Sequence, residues 1–240
     1  MVRCIHSPFT DIYFHLAAEE YLLKQGADDV VMLWQDTPSV VMGKHQRVQS
    51  EVDREWAELQ QIHIARRFSG GGTVYHDLGN VNLTFIETVS RLPDFKTYLH
   101  RVLEFFVSIG LTAEGDERLG IYLHGLKISG SAQCVYKYRV LYHCTLLYDT
   151  DMTILNKVLN PEGKIEEKES VPVYAVPSVR SAVTNISNYL PMETIEDFKK
   201  TVFQYFSKGQ SAVAFNEWEL GAIDKLRKEK YIRDEWIFSR

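Results

Sequence analysis

The stretch Arg66-Arg67-Phe68-Ser69-Gly70-Gly71-Gly72-Thr73 is the first whose residue types could do chemistry. Three consecutive glycines lose much chain entropy on folding, so a plain loop rarely keeps them. Their use is positive φ and close approach of backbone to a ligand. Amides exposed in such a turn form an anion-binding nest, and the two arginines before it suit a phosphate or carboxylate. The plainer alternative is a flexible loop with two solvated arginines. No Gly-Lys-Ser/Thr follows the glycines and no helix opens directly after them, so neither a Walker loop nor a dinucleotide fingerprint is present.

Three further stretches follow. His76-Asp77-Leu78-Gly79-Asn80-Val81-Asn82 gathers His, Asp and Asn where a loop re-enters a strand, a pattern that a simple Asx turn also explains. Lys127, in Lys127-Ile128-Ser129-Gly130-Ser131-Ala132-Gln133, is surrounded by small and apolar residues rather than other charges. It is either a strand-end charge or a lysine placed to neutralise a phosphate or a developing carboxylate charge. Pro177-Ser178-Val179-Arg180-Ser181-Ala182-Val183-Thr184-Asn185 reads as a strand with a helix cap or as a fourth piece of the same site.

The elements that must position these residues alternate between helical and strand patterns. Helical spacing over Tyr13–Gln25 puts Leu16, Ala17, Tyr21 and Leu23 on one face, with Glu19 and Glu20 near its edge. Strands are predicted at Val30–Trp34, Ser39–Met42, His63–Ala65, Val74–Tyr75, Val81–Ile86 and Val140–Tyr148, with a hairpin over Gly120–Ser131. Helices are predicted over Glu51–Gln60, Phe95–Ile109, Thr153–Val158, Ile195–Phe206 and Glu217–Lys228. The clearest, Phe95–Ile109, should bury Leu99, Val102, Leu103, Phe106 and Val107. Asn160–Ser178, Lys/Glu-rich and then proline-rich, reads as a long functional loop. Strict βαβ alternation is absent, so the expected class is α/β of the α+β type: a mixed β-sheet flanked by helices.

The chain of 240 residues, 45% hydrophobic, is long enough for one large domain with a real core. Its formal net charge of -5 gives no footprint for nonspecific nucleic-acid binding. No run approaches a membrane span and no signal peptide is recognisable, so no membrane association is expected and the expected compartment is the cytoplasm. Cys4, Cys134 and Cys144 form no CxxC pair and suggest neither a disulfide framework nor a zinc site.

Taken together and in this order, the motifs resemble those of lipoate–protein ligases, relatives of biotin ligases and octanoyltransferases. Arg66-Arg67-x-Ser69-Gly70-Gly71-Gly72-x-Val74-x-His76-Asp77-Leu78-Gly79-Asn80 is similar to the family's lipoyl-binding loop and strand. Lys127-x-Ser129-Gly130-Ser131-Ala132 is similar to its catalytic-lysine motif, and His143-x-Thr145-Leu146-Leu147 and Ser178-Val179-Arg180-Ser181 to later signatures. Leu16-Ala17-x-Glu19-Glu20 and Trp34 fit nearer the start. The resemblance covers about Phe14 to Phe206. It implies that ATP and lipoate form lipoyl-AMP and pyrophosphate, and that the acyl group then passes to a carrier lysine. Lys127 would be catalytic. Arg67, Gly72, Thr73, Val74, Tyr75 and Asn80 would join it in holding the adenylate. Leu16, Glu20, Trp34, Arg67, Ser69, Gly70, Gly71, Val74, His76 and His143 would hold the lipoyl group. The loop over Asn160–Ser178 would cover the adenylate. The implied carriers are apo-lipoyl domains of 2-oxoacid dehydrogenase E2 subunits or the glycine-cleavage H protein.

Three positions depart from the family pattern. Gly115-Asp116-Glu117-Arg118-Leu119-Gly120 stands where the family has Arg-Asn-Asp, whose acid helps hold Mg2+. Arg118 replaces that acid, with Asp116 or Glu117 as possible substitutes and the metal ligands left unassigned. Cys144 stands where glycine is expected. About 32 residues follow Lys208, fewer than the accessory domain of full-length ligases. The expected organisation is therefore a catalytic domain over 1–208 with a helical extension over 209–240, and a separate accessory subunit is a possible partner. Two alternatives stay open: a transferase of preformed acyl groups, and a lipoyl- or carrier-binding subunit. A cysteine transferase would need a thiolate nucleophile, and the Asn160-Pro161-Glu162-Gly163 stretch, where one such group carries it, has none.

Overall fold

Asp11 starts the first helix: its carboxylate accepts from the amides of Tyr13 (2.9 Å) and Phe14 (3.4 Å), satisfying two donors that helix geometry leaves open. The computed structural model describes residues 2–91, 93–160, 177–190 and 194–239. This helix, Ile12–Lys24, is buried nearly all round, and Glu19 and Glu20 lie inside rather than at an exposed edge. A helix apolar on most sides must be covered on most sides. A five-stranded sheet, a three-stranded sheet and the C-terminal helices provide that cover.

The five-stranded sheet runs Val2–His6, Asp29–Trp34, Asn80–Thr88, Arg139–Leu147, Ser131–Tyr136. Only the first pair is parallel; the others are antiparallel. Side chains alternate across it. Leu33, Leu83, Tyr142, Cys144 and Leu146 enter the core under the helices Lys96–Ser108 and Ile195–Phe206. Met32, Trp34 and Leu141 face the first helix. A second sheet, His63–Arg66, Ser39–Met42, Val74–His76, carries the glycine run between its outer strands. A third, Glu114–Gly115, Ile121–Leu123, Leu126–Ser129, holds Lys127. Its hairpin turns on His124 (φ 49°) and Gly125 (φ 79°), the positive pair that matches strand twist. The fold is thus the expected mixed α+β arrangement.

Several expectations shift. The segment Glu51–Gln60 is two short helices, Val48–Glu51 and Arg54–Leu59, because Val52 is extended and Asp53 caps the second. In Lys96–Ser108 the buried stripe is Tyr98, Leu99, Val102, Phe105 and Phe106, while Val107 is exposed. The strands Val2–His6 and Ser131–Tyr136 are additional. The C-terminal helix covers Glu217–Leu226, continues as a π-helical turn over Arg227–Tyr231, and is followed by Asp234–Ile237. Arg227 pairs with Asp11 (2.6 Å), and Tyr231 and Lys230 bind Glu20. Of the loop expected over Asn160–Ser178, positions 161–176 lie outside the described residues.

Candidate functional site

The two consecutive arginines diverge, as neighbours at a strand end must. Arg66 is fully buried and points toward the C-terminal segment, donating to the carbonyls of Ile237 (2.8 Å), Gln46 (2.7 Å) and Gly43 (3.0 Å). It therefore does not face a ligand. Arg67 turns into the glycine loop and donates to the carbonyls of Val41 (2.9 Å), Gly70 (2.7 Å) and Gly72 (2.6 Å). Burial lowers its guanidinium to about 10. Arg67 thus moulds the loop from inside. Gly71, at φ 89°, takes the left-handed conformation, and a Cβ on Gly43 would lie 2.0 Å from the Gly71 carbonyl oxygen. These glycines are required by the close approach of two backbone segments.

Above this loop lies a cavity of about 480 Å³, lined by Leu16, Trp34, Arg67, Gly71, Gly72, Thr73, Val74, His76, Asn82, Arg118, Lys127 and His143 among others. A second, of about 380 Å³, is lined by Ser50, Glu51, Tyr75, Ser129, Leu155, Asn156 and Arg180 among others. Thr73, Val74, Lys127, Gly130, Thr145 and Pro177–Val179 line both. The cavities therefore meet, and Lys127 stands at the seam. Its backbone is clamped there, since Lys127 N donates to Ala182 O (2.8 Å) and Thr184 N donates to Lys127 O (3.0 Å). The Pro177–Asn185 segment is thereby both a strand partner and a wall of the site. Burial pulls the Lys127 ammonium below its ordinary range, Asp116 opposes that shift and Arg118 adds to it.

Beneath the first cavity several buried polar side chains are paired with one another. Asp36, fully buried, binds His15 Nδ1 (2.7 Å) and His76 Nδ1 (2.8 Å), and His15 Nε2 meets Ser7 Oγ (2.8 Å). Burial alone would raise the Asp36 carboxyl; the two imidazoles outweigh it and hold it below its ordinary value. Glu19, also fully buried, meets His143 Nδ1 (2.9 Å) and accepts from Thr84 Oγ1 (2.6 Å), which in turn accepts from Trp34 Nε1 (2.8 Å). Ser69 Oγ lies 3.3 Å from His143 Nε2. These contacts fix the rings that line the wall.

The structure brings Leu16, Trp34, Arg67, Gly71, Gly72, Thr73, Val74, His76, Lys127 and His143 to the first cavity and Tyr75 to the second. Ser69 and Gly70 line neither cavity; Gly70 O accepts from Arg67, and Ser69 Oγ meets His143. Asn80 binds Asn82 Oδ1 (2.9 Å) without lining either cavity. Glu20 faces the C-terminal segment, bound to Lys24, Lys230 and Tyr231. Asp77 forms the plain Asx turn, accepting from Gly79 N (2.9 Å), and also holds Asp151 N (2.8 Å). Sequence reasoning missed Asp36, His15 and Thr84, and also Gln46, whose side chain accepts from Gly43 N (3.0 Å) and Thr73 Oγ1 (2.7 Å) and donates to Ser178 Oγ (2.9 Å); such isolated positions carry no motif, and Glu19 was in view but not separated from Glu20.

The acids near Lys127 do not fit a protein-held Mg2+. Asp116 Oδ1 accepts from Arg118 N (3.0 Å) and Gly120 N (2.7 Å), and Oδ2 from Tyr122 OH (2.9 Å). Glu117 is exposed and reaches Lys96 (3.7 Å). Among the described residues no group of three or more His, Cys, Asp or Glu side chains is arranged to hold a metal.

A lysine shared by two adjoining pockets suits activation and transfer of an acyl group. Residues 11–207 match the model of the lipoyl protein ligase A/B catalytic domain, and the chain belongs to that family. The probable lipoate-protein ligase A of Mycoplasma pneumoniae is 32% identical across 98% of this chain and 70% of its own length. The human mitochondrial lipoyl amidotransferase is 34% identical across 80% of this chain and 52% of its own. The solved bi-partite lipoate protein ligase of Thermoplasma acidophilum, from a system with an E2 lipoyl domain, has a TM-score of 0.83 and 25% identity, covering 99% of this chain and 95% of that one.

Proposed function

We propose that the protein is a lipoate–protein ligase whose two half-reactions share Lys127. The carrying observation is the position of Lys127 in the walls of both cavities. Lipoate would occupy the first, its carboxylate toward Lys127, and ATP the second. A carboxylate oxygen attacks the α-phosphorus, the bond to the β-phosphate oxygen breaks, and the electron pair leaves with pyrophosphate. Lys127 neutralises charge gathering on the α-phosphate oxygens. The amine of a carrier lysine then attacks the acyl carbon, the carbon–oxygen bond to AMP breaks, and the amine gives up a proton to water. Lys127 again faces the departing phosphate. Mg2+ would enter on the phosphates of ATP, with water completing its ligands.

A cysteine acyl-enzyme is disfavoured by the thiols themselves. Burial raises Cys4 and Cys134, and pushes Cys144 to about 12. Cys144 borders the first cavity, but it is buried and belongs to the core cluster with Leu83 and Leu146. The acceptor we propose is an apo-lipoyl domain of a 2-oxoacid dehydrogenase E2 subunit or the glycine-cleavage H protein. We place residues 209–240 in the same domain as the rest, because Arg66, Glu20 and Asp11 bind them directly. No helix among the described residues is long and apolar enough to cross a membrane, and a cytoplasmic location fits this reading.

The test is lipoylation of a purified apo-lipoyl domain with lipoate and Mg-ATP, beside a reaction given preformed lipoyl-AMP. Product in both is expected. Product from lipoyl-AMP alone would remove the activation step and point to a separate accessory subunit; product from neither would remove the reading.

A further inference from the structure

We infer that the carrier domain docks on the open edge of the five-stranded sheet, Ser131–Tyr136, by adding a strand of its own beside the wall of the acyl cavity. This inference rests on the ligase reading above. The sheet has two edges, and the chain treats them differently. At Val2–His6, Val213 N donates to Cys4 O (2.8 Å), so the C-terminal extension covers that edge at its middle. At Ser131–Tyr136 the inner side alone is paired. Thr145 N donates to Gly130 O (2.9 Å), and Ser131 stands opposite Cys144. The alternation of an antiparallel ladder then gives Ala132, Cys134 and Tyr136 the bonds to Arg139–Leu147. It turns the N–H and C=O groups of Ser131, Gln133 and Val135 outward. Among the described residues, no backbone bond reaches those outward groups.

An unpaired edge is a template for another strand, and folded proteins blunt theirs with charges, prolines or bulges. Ser131-Ala132-Gln133-Cys134-Val135-Tyr136 has no charge and no proline, its register runs without a shift, and Val135 is 45% exposed. The place of this edge decides its occupant. Ser131, Ala132 and Gln133 line the first cavity, and Gly130 joins them to the strand that holds Lys127. A strand paired here lies about 4.8 Å from its neighbour, so a lysine beside it stands next to the cavity wall. The acceptor is the one partner that the reaction must bring to that wall. Main-chain bonds give such a contact affinity, and the flanking charges supply the choice of partner. Lys44 and Lys24 lie close enough to Cys134 for their charges to act on its thiol, and Lys137 follows the strand. All three are exposed, whereas Glu19 and Glu20, which act on the same thiol, are buried. The surface beside the edge is therefore basic, and the added strand is one flanked by Asp or Glu.

Val135→Pro tests the edge in the full chain, because proline removes an outward donor and leaves the bonds to the neighbouring strand in place. Val135→Thr keeps the donor. Both are compared with the unaltered protein in transfer from preformed lipoyl-AMP to an apo-lipoyl domain and in lipoate-dependent ATP–pyrophosphate exchange, which needs no carrier. Melting temperatures check the folding. The proline variant should raise the KM for the apo-lipoyl domain about tenfold and leave exchange within about twofold, and the threonine variant should leave both unchanged. An unchanged carrier KM, or an equal loss in exchange, would overturn the assignment. Hydrogen exchange on the unaltered protein is the second measurement and needs no variant to fold. With the apo-lipoyl domain added, the amides of Gln133 and Val135 should gain protection, and no gain would overturn the docking edge. If the unaltered protein shows neither exchange nor transfer, the ligase reading has failed by itself, and the same protection measurement decides the edge separately. Protection that appears without the carrier as protein concentration rises would give the edge to a second copy of this chain and overturn the inference as well.

Discussion

The two cavities that meet at Lys127 are built from different materials. The wall found only in the first comes largely from regular elements, Leu16 from the first helix and Trp34, His76, Asn82 and His143 from strands, with Arg67, Gly71, Gly72 and Arg118 added from connections. Its imidazoles are held by buried carboxylates. The wall found only in the second comes largely from short helices and connections, including Ser50, Glu51, Asn156, Asn160 and Ser181. A pocket whose rings are held by buried carboxylates is largely set before its ligand arrives, with His76 Nε2 and Asn82 Nδ2 the buried atoms on that wall that have no partner among the described residues; one walled by short segments depends more on the ligand for its final contacts. The acyl end should therefore respond to mutation through both stability and lipoate binding, and the nucleotide end through ATP binding with little change in stability.

Lys127 belongs to both sides, so its removal should have the largest effect and erase the contrast. For Lys127→Ala, exchange and transfer should each fall about a hundred- to a thousandfold, as for loss of one preorganised donor to a developing charge. The melting temperature should barely move, because the backbone bonds to Ala182 and Thr184 persist. An active alanine variant would end the mechanism. The pH profile adds a sign. Burial lowers the Lys127 ammonium from its ordinary 10.5, so the charged, active form is lost as pH rises through a value below that. The alkaline limb of kcat/KM should therefore begin earlier than for an ordinary lysine.

Asp36→Asn should break the acyl side alone. Two buried imidazoles lose their carboxylate, which costs about 2–4 kcal/mol of stability. The KM for lipoate should rise while that for ATP stays near its starting value. The sign with pH follows from the lowered carboxyl. Its contribution is fully present above the ordinary value of 3.8 and is lost as pH falls through the folded value. The stability gap between the variant and the unaltered protein should therefore close below about pH 3.8 in denaturant titrations. A gap that widened in acid would contradict the pairing.

Glu20→Gln sharpens the same side with a smaller effect. Burial would raise the Glu20 carboxyl, but Lys230, Lys24 and Tyr231 outweigh it and hold it below its ordinary value. Losing that charge should cost about 1–2 kcal/mol. Lipoate KM should be unchanged, because Glu20 faces the C-terminal segment; a raised lipoate KM would return Glu20 to the acyl site.

How much of this was legible follows from what local pattern encodes. Lys127 stood out because it is a lone charge among small residues, and the glycine run because its cost demands a use. The mixed α+β class and the helix Ile195–Phe206 were readable from periodicity. Glu19 and Glu20 were not separable, since a helix buried nearly all round gives no polar face from which to take its phase. Arg66 and Arg67 are alike in residue type, and only the resemblance singled out Arg67; the strand end sends the two to opposite sides. Asp36 gave no signal: its partners His15 and His76 come from a helix and from another strand, and only tertiary packing unites them. The break at Val52–Asp53 was hidden because both flanking segments are helical by composition.

The smallest expected effect tests the nucleotide side. Tyr75 is buried, lines only the second cavity, and its hydroxyl has no hydrogen-bond partner among the described residues. A buried hydroxyl left unmet costs about 1–3 kcal/mol, so replacing it with hydrogen should not destabilise the fold. Tyr75→Phe should leave the melting temperature unchanged or slightly raised, and lipoate KM unaltered. If the hydroxyl finds its partner on the nucleotide, ATP KM should rise about fivefold, the equivalent of one net hydrogen bond of about 1 kcal/mol. A marked loss of stability would show that the hydroxyl is bound within the protein. A shift in lipoate KM equal to that in ATP KM would show that the two walls are not independent, and the contrast between a preset acyl pocket and a ligand-completed nucleotide pocket would fail with it.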